Sequence, residues 1–149
     1  MKIIMLDIDG VLNSTQGEIM HHRRNCENHF SLCPIACSNL QWILDQVPDV
    51  AIVISSTWRI YHSPKELRLI LKMNQISGER IIDTTTNEPG IRGQQIQAWL
   101  DKNPVDQFVI FDDDLDMGHL LPRLVRTNPK HGLMLEDAEK AVRMLRAQK

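Results

Sequence analysis

Three short apolar runs, each ending abruptly in polar residues, constrain the fold of this 149-residue chain more than any other feature. They are Ile3 to Leu6, Val50 to Ile54 and Phe108 to Phe111. Short uninterrupted apolar runs are typical of strands buried on both faces, as in a parallel sheet. Shorter candidates for further strands are Arg80 to Asp83 and Leu124 to Thr127.

Segments with helical spacing lie between these runs. Apolar residues recur at helical intervals from Leu40 to Val47, from Leu67 to Asn74, from Ile91 to Trp99 and from Leu135 to Leu145. The sequence Ser63-Pro64-Lys65-Glu66 predicts a helix start, with a serine N-cap, a proline and an acidic first turn. Strands that alternate with helices predict an α/β fold with a mainly parallel sheet.

The length predicts one domain over residues 1–149. A net charge of -2 and a pI near 6.3 argue against wholesale electrostatic capture of nucleic acid, although a local basic patch remains compatible with them. Cys26, Cys33 and Cys37 are an odd, sparse set, which is typical of reduced thiols. With no candidate signal peptide or membrane span, we expect a cytoplasmic protein.

Polar side chains follow each main apolar run. Asp7 and Asp9 follow the first run, Ser55 and Ser56 the second, and the acids of residues 112–114 the third. Ligands of open α/β sheets bind beyond the carboxyl ends of the strands, so these groups are expected to converge there. Several carboxylates in one crevice repel one another unless a cation lies among them. Oxygen ligands of this density favour a hard divalent ion, and Mg²⁺ is the usual one beside phosphate.

The same crevice is expected to contain donors for an anion. Arg92 opens the helix that precedes the third strand, and Ser55 offers a hydroxyl at the end of the second. Arg59, close behind the serines, is predicted either to bind substrate phosphate or to pair with a surface acid. A metal site, an anion site and a spare carboxylate together predict phosphoryl transfer, in which one carboxylate attacks phosphorus and another handles the proton.

Four motifs in order resemble the haloacid dehalogenase (HAD) superfamily. They are Asp7-Ile8-Asp9-Gly10 after the first strand, Ser55-Ser56-Thr57 after the second, Arg92 at a helix start, and Asp112-Asp113-Asp114 after the third strand. The layout is similar to the small phosphatase domains of phages and RNA-repair proteins and to the phosphatase half of polynucleotide kinase-phosphatases. This resemblance implies a Rossmann-like three-layer sandwich with a minimal cap or none.

The resemblance also implies roles in catalysis. Asp7 would be the nucleophile, and Asp9 the general acid that protonates the leaving oxygen and then activates water. Ser55 would bind the transferring phosphoryl group, and Arg92 would stabilise its charge. The second motif offers both Ser55 and Ser56, and the sequence leaves open which hydroxyl points inward.

A magnesium site is the cofactor that the resemblance implies. Asp112 would hold Mg²⁺ with Asp113 as a second ligand or support, Asp7 would contribute its carboxylate, and Asp9 its backbone carbonyl. Because the acids form a triplet, this assignment could slip by one residue. The residues expected to bind the substrate are Ser56, Arg59 and Gly10.

The polar segment of residues 14–35 is long for a loop and lies where the superfamily inserts its caps. It is too short for a separately folded cap, so we expect an open site that suits a large substrate such as a nucleic-acid end. Arg23 and Arg24 are candidates for contact with its backbone, or form a solvated basic turn. Zinc is an alternative role for the segment, but its spacing lacks a paired cysteine knuckle, and we favour a core Cys37. The candidate zinc ligands are His21, His22, Cys26, His29, Cys33 and Cys37.

The sequence thus predicts a Mg²⁺-dependent phosphomonoesterase for phosphorylated nucleic-acid ends, nucleotides or another small phosphate ester. A repair kinase or ligase is a possible partner. The alternatives are a phospho-accepting signalling domain and a non-catalytic metal-binding or nucleic-acid-binding domain. Asp9 argues against the signalling domain, since a second acid beside the nucleophile promotes hydrolysis of the phosphoryl group.

Overall fold

A five-stranded, fully parallel sheet forms the centre of the protein. The computed structural model describes residues 1–14 and 31–148. The spatial order of the strands is β3-β2-β1-β4-β5. Their bounds are β1 Lys2–Leu6, β2 Val50–Ile54, β3 Ile81–Thr84, β4 Gln107–Asp112 and β5 Leu124–Arg126. The three apolar runs and the two shorter candidates therefore all form strands, with ends shifted by a residue at most.

Helices cover both faces of the sheet. Their bounds are α1 Pro34–Gln46, α2 Trp58–Tyr61, α3 Pro64–Met73, α4 Arg92–Lys102 and α5 Leu135–Arg146, with 3-10 turns at Gly78–Arg80 and Gly118–Arg123. The predicted start of α3 is confirmed, because the Ser63 side chain accepts a hydrogen bond from the Glu66 backbone N–H at 3.1 Å. The Glu66 carboxylate in turn accepts from the Ser63 backbone N–H at 3.4 Å, which completes a capping box.

The core has two halves, one on each face of the sheet. Successive strand residues point to opposite faces, so Ile4 and Leu6 pack beneath α1, α3 and α5, whereas Ile3 and Met5 pack beneath α4. All four of these side chains are fully buried. Burial on both faces explains why these runs lack the alternation of a half-exposed strand. The result is the three-layer, Rossmann-like sandwich that the sequence predicts.

Cys37 and Trp99 pack in opposite halves of the core. Cys37 is buried in the core half that contains α1, as favoured above. Trp99 packs in the other half, and its indole N–H donates to Asp83 Oδ2 at 2.7 Å. Across residues 1–14 and 31–148, no helix has the length and apolar character needed to cross a membrane.

The strand order places the candidate site. The chain winds outward from β1 through β2 to β3, then returns to add β4 on the other side of β1. This reversal opens a crevice beyond the carboxyl ends of β1 and β4, which is where open α/β sheets bind their ligands.

Candidate active site

Parallel pairing continues one residue beyond the strands and fixes the site backbone. The backbone N–H of Asp7 donates to the Phe111 carbonyl, and that of Ser55 donates to the Leu6 carbonyl, both at 3.0 Å. These bonds lock the residue after β1 against the ends of β4 and β2. The carboxylates of the first motif, the serines of the second and the acids of the fourth are therefore held at one edge of the sheet.

Three carboxylates meet in the crevice. Oxygen atoms of Asp7, Asp112 and Asp113 all lie within 4.8 Å of one another. Asp7 and Asp112 are 7% and 3% exposed, so water screens their mutual repulsion poorly. The Asp7 carboxylate accepts a hydrogen bond from the Ile8 N–H at 2.9 Å, and Asp112 accepts one from the Asp114 N–H at 3.0 Å.

Arg92 is the positive charge of this crevice. Its guanidinium nitrogen lies 3.2 Å from Asp112 Oδ2 and 3.6 Å from Asp7 Oδ1. Arg92 is the first residue of α4, and the helix start is held by Asp116, whose backbone oxygen accepts from the Gly93 N–H at 2.9 Å. A guanidinium fixed between the two carboxylates is placed to bind an anion that approaches Asp7.

Burial shifts the proton equilibria of both buried acids. It raises the pKa of Asp112 to about 8, and the negative charge of Asp7 adds to the effect. Burial also raises the pKa of Asp7, although the Arg92 guanidinium opposes that change. One guanidinium is thus too little positive charge to keep these acids ionised as they would be in water.

Gly10 lets the first-motif loop approach the acidic cluster. Its φ of +80° lies in the left-handed region that favours glycine, and a Cβ at this position would lie 2.5 Å from Asp113 Oδ2. The Thr127 hydroxyl donates to the Gly10 carbonyl at 2.7 Å and anchors the loop. Gly10 therefore lies against a candidate metal ligand, and its predicted contact with substrate stays a prediction.

The two serines of the second motif differ in their partners. Both are fully buried. The Ser56 hydroxyl accepts from the Trp58 backbone N–H at 3.2 Å, and its interaction with the Asp7 carboxylate lowers the pKa of that acid. Within residues 1–14 and 31–148, the Ser55 hydroxyl has no hydrogen-bond partner. Ser56 therefore lies near the candidate nucleophile, and the predicted role of Ser55 in binding the phosphoryl group stays a prediction.

Arg59 contacts the protein itself with both terminal nitrogens. One donates to the carbonyls of Ser55 and Ser56, each at 2.9 Å, and the other to Asn87 Oδ1 at 3.0 Å and Gln95 Oε1 at 3.1 Å. Burial lowers the pKa of Arg59, and the charge of Arg92 adds to this effect. The guanidinium thus links the serine loop to Asn87 and to Gln95 of α4 by hydrogen bonds. A direct contact with substrate stays a prediction.

Asp9 is exposed, unlike Asp7 and Asp112, and each of its carboxylate oxygens accepts a hydrogen bond. Its Oδ1 accepts from the Asn13 side-chain amide at 2.9 Å, and its Oδ2 accepts from the Trp58 indole N–H at 3.2 Å. Neither donor is predicted by the sequence. Trp58 lies just after a predicted strand, where core packing would use a tryptophan, and no local spacing relates it to an acid 49 residues away.

Part of the predicted insertion lies outside the described residues. This applies to Arg23, Arg24 and four of the six candidate zinc ligands: His21, His22, Cys26 and His29. The cap-like segment of residues 14–35 is described only at its two ends, and α1 already begins at Pro34. In the part of the chain that is described, the group of Asp7, Asp112 and Asp113 is the set that could hold a metal ion.

The chemistry of the acidic group fits a hard divalent cation. All its donors are carboxylate oxygens, and two of them carry raised pKa values that a nearby cation would lower. The close approach of Gly10 to Asp113 also leaves no room for a side chain between the first-motif loop and the acids. Mg²⁺ suits this arrangement as the sequence predicts.

The metal-free protein is expected to lose stability as the pH rises from about 4 to about 8. The folded state holds a proton on Asp112 up to a pH of about 8, whereas the unfolded state loses it near 3.8. Unfolding therefore releases a proton in this window, and at about 1.4 kcal/mol for each pH unit the free energy of unfolding falls by roughly 6 kcal/mol. In EDTA, thermal unfolding should show a decrease in Tm of roughly 10–20 °C across this pH range.

Asp112→Asn tests this origin, because the amide cannot titrate and should flatten the decrease. Asp45→Asn, on the exposed surface of α1, is the matched control and should keep it. Equal pH dependence in the wild type and Asp112→Asn would show that another group causes the effect.

Comparison with known proteins identifies one family. A family model described as "HAD domain in Swiss Army Knife RNA repair proteins" matches residues 3–138, a range that includes all the described site residues. No curated protein and no solved structure gives a significant match.

Proposed function

The chain belongs to the family of HAD domains in Swiss Army Knife RNA repair proteins, and we propose that it is a Mg²⁺-dependent phosphatase of phosphorylated nucleic-acid ends. The observation that carries the proposal is the position of the Arg92 guanidinium, 3.2 Å from Asp112 and 3.6 Å from Asp7. With Arg92 in this position, the crevice combines a proposed nucleophile, an acidic metal site and a cation that binds anions.

Asp7 is the proposed nucleophile. A carboxylate oxygen of Asp7 forms a bond to phosphorus, while the bond from phosphorus to the leaving oxygen breaks. Asp9 transfers a proton to that oxygen, so the product leaves as an alcohol. Arg92 and the Ser56 hydroxyl stabilise the negative charge on the phosphoryl oxygens. The phosphoryl group is then bound to Asp7 as an aspartyl phosphate.

Water then releases the phosphate. Asp9, now a carboxylate, accepts a proton from a water molecule whose oxygen bonds to phosphorus. The bond between phosphorus and Asp7 breaks, which restores the free carboxylate and yields inorganic phosphate. Asp9 suits both steps because it is exposed and lies only two residues after the nucleophile.

Asp7, Asp112, Asp113 and the backbone carbonyl of Asp9 would hold Mg²⁺. When bound, the ion supplies positive charge that neutralises the carboxylates and the phosphoryl oxygens. The raised pKa values of Asp7 and Asp112 support this assignment, since these acids lack sufficient positive charge on their own.

Support for a nucleic-acid end as substrate comes from the family and from the surface beside the site. The description of the family refers to RNA repair. On α2, directly after the serine loop, Ile60 and Tyr61 are 52% and 78% exposed. An exposed aromatic ring such as that of Tyr61 can stack on a nucleobase, and Ile60 adds apolar surface next to it in the chain.

Phosphate release from a substrate panel tests the proposal. The panel contains p-nitrophenyl phosphate, nucleoside 3′- and 5′-monophosphates, and RNA and DNA oligonucleotides phosphorylated at either end. We expect turnover of oligonucleotide ends with Mg²⁺ and none with EDTA.

Each other outcome contradicts part of the proposal. Turnover of free nucleotides alone would move the substrate to small metabolites. A long-lived phosphoprotein without turnover would favour the signalling domain. Folded protein with no Mg²⁺-dependent turnover of any substrate would overturn the phosphatase and favour a binding domain.

A further inference from the structure

Trp58 contacts residues with two proposed functions, namely phosphoryl binding and proton transfer. Its backbone N–H donates to the Ser56 hydroxyl, the group proposed to stabilise the phosphoryl oxygens. Its indole N–H donates to the carboxylate of Asp9, the proposed acid and base. One residue thus contacts both the phosphoryl-binding serine and the group that moves the proton.

The indole ring is held firmly from its other side. Trp58 is half-buried and packs against the core half beneath α3. Its ring centroid lies 5.6 Å from that of His62, and the His62 imidazole lies 3.3 Å from a Glu66 carboxylate oxygen. The direction of the indole N–H is therefore fixed by packing.

Asp9 needs such support because it is exposed. A solvated carboxylate samples several rotamers, and only some of them reach the leaving oxygen. Trp58 and Asn13 each occupy one carboxylate oxygen, so together they fix the plane of the group. Each oxygen keeps a second lone pair that can carry the proton.

We infer that Trp58 is a positioning residue that holds Asp9 in the orientation required for proton transfer to the leaving group. This inference rests on the proposed phosphatase function. It assigns to the indole N–H a role in leaving-group protonation, separate from any stacking of the ring on a nucleobase.

The leaving group provides a direct test. A ribose alcohol must be protonated as it departs, whereas p-nitrophenolate is a stable anion that leaves without the proton. Trp58→Phe removes the N–H and keeps an aromatic ring beside His62. We expect kcat for a phosphorylated oligonucleotide to fall about 10-fold, and kcat for p-nitrophenyl phosphate to fall much less.

Trp99→Phe is the matched control. Its indole N–H also donates to a carboxylate, that of Asp83, but on the other core half. In Trp99→Phe, the ratio of kcat for the oligonucleotide to kcat for p-nitrophenyl phosphate should equal that of the wild type. A double-mutant cycle with Asp9→Asn adds a second measurement, because Trp58→Phe should not change the ratio further once the acid is absent.

Asn13→Ala removes the other donor to Asp9 and keeps the test decisive if Trp58→Phe does not fold. It should shift the ratio in the same direction. Equal losses on both substrates, or a higher KM for the oligonucleotide with unchanged kcat, would overturn the inference and favour a structural or base-stacking role. Absence of wild-type turnover on both substrates would instead contradict the proposed phosphatase.

Discussion

Asp7→Asn is expected to abolish phosphatase turnover, with a loss of at least ~10⁴-fold in kcat. The amide nitrogen and oxygen are poor nucleophiles for phosphorus, so no aspartyl phosphate forms. The substitution is nearly isosteric, and the Ile8 N–H can still donate to the side-chain oxygen. Phosphate release from p-nitrophenyl phosphate and from a phosphorylated oligonucleotide, at saturating Mg²⁺, measures the effect.

A matched control and a stability measurement separate chemistry from folding. Asp45→Asn changes an exposed acid of α1, far from the crevice, and should retain wild-type turnover. Metal-free Asp7→Asn should unfold at a temperature no lower than the wild type, because an amide is less costly to bury than a carboxylate beside Asp112. Residual turnover above 1% of wild type, on both substrates, would exclude Asp7 as the nucleophile.

The fold could be predicted from the sequence because its strands are buried on both faces. Such strands must be continuously apolar, and their polar ends must lie at the edge where the chain leaves the sheet. Residues 3–6 and 108–111 satisfy both conditions, and the structure places them side by side in β1 and β4. The convergence of Asp7 and Asp112 follows directly from that pairing.

Side-chain directions and long-range contacts could not be predicted in the same way. The order Ser55-Ser56 gives no sign of which hydroxyl faces the nucleophile, because strand alternation ends where the loop begins. The contacts of Arg59 with Asn87 and Gln95 depend on how a loop and α4 pack. The same holds for the indole of Trp58, which reaches Asp9 only after β1 and β2 have paired.

Arg92→Met is expected to lower kcat/KM by about 10²–10³-fold, even when Mg²⁺ is saturating. The thioether keeps much of the volume of the side chain but removes the charge between Asp7 and Asp112. That charge stabilises the phosphoryl oxygens as the bond to the leaving group breaks. Arg92→Lys restores a single point charge and should recover only part of the rate, since it lacks the planar fork of donors.

Magnesium binding by Arg92→Met distinguishes a role in catalysis from a role in building the metal site. The acids that would hold the ion stay in place, and loss of a competing cation makes their oxygens more available to Mg²⁺. The increase in Tm on addition of Mg²⁺ should therefore persist in Arg92→Met and disappear in Asp112→Asn. Arg143→Met, on the exposed face of α5, should match the wild type in both assays. If Arg92→Met lost the Mg²⁺ response together with activity, the guanidinium would be required for the metal site, and its assignment to the phosphoryl group would fail.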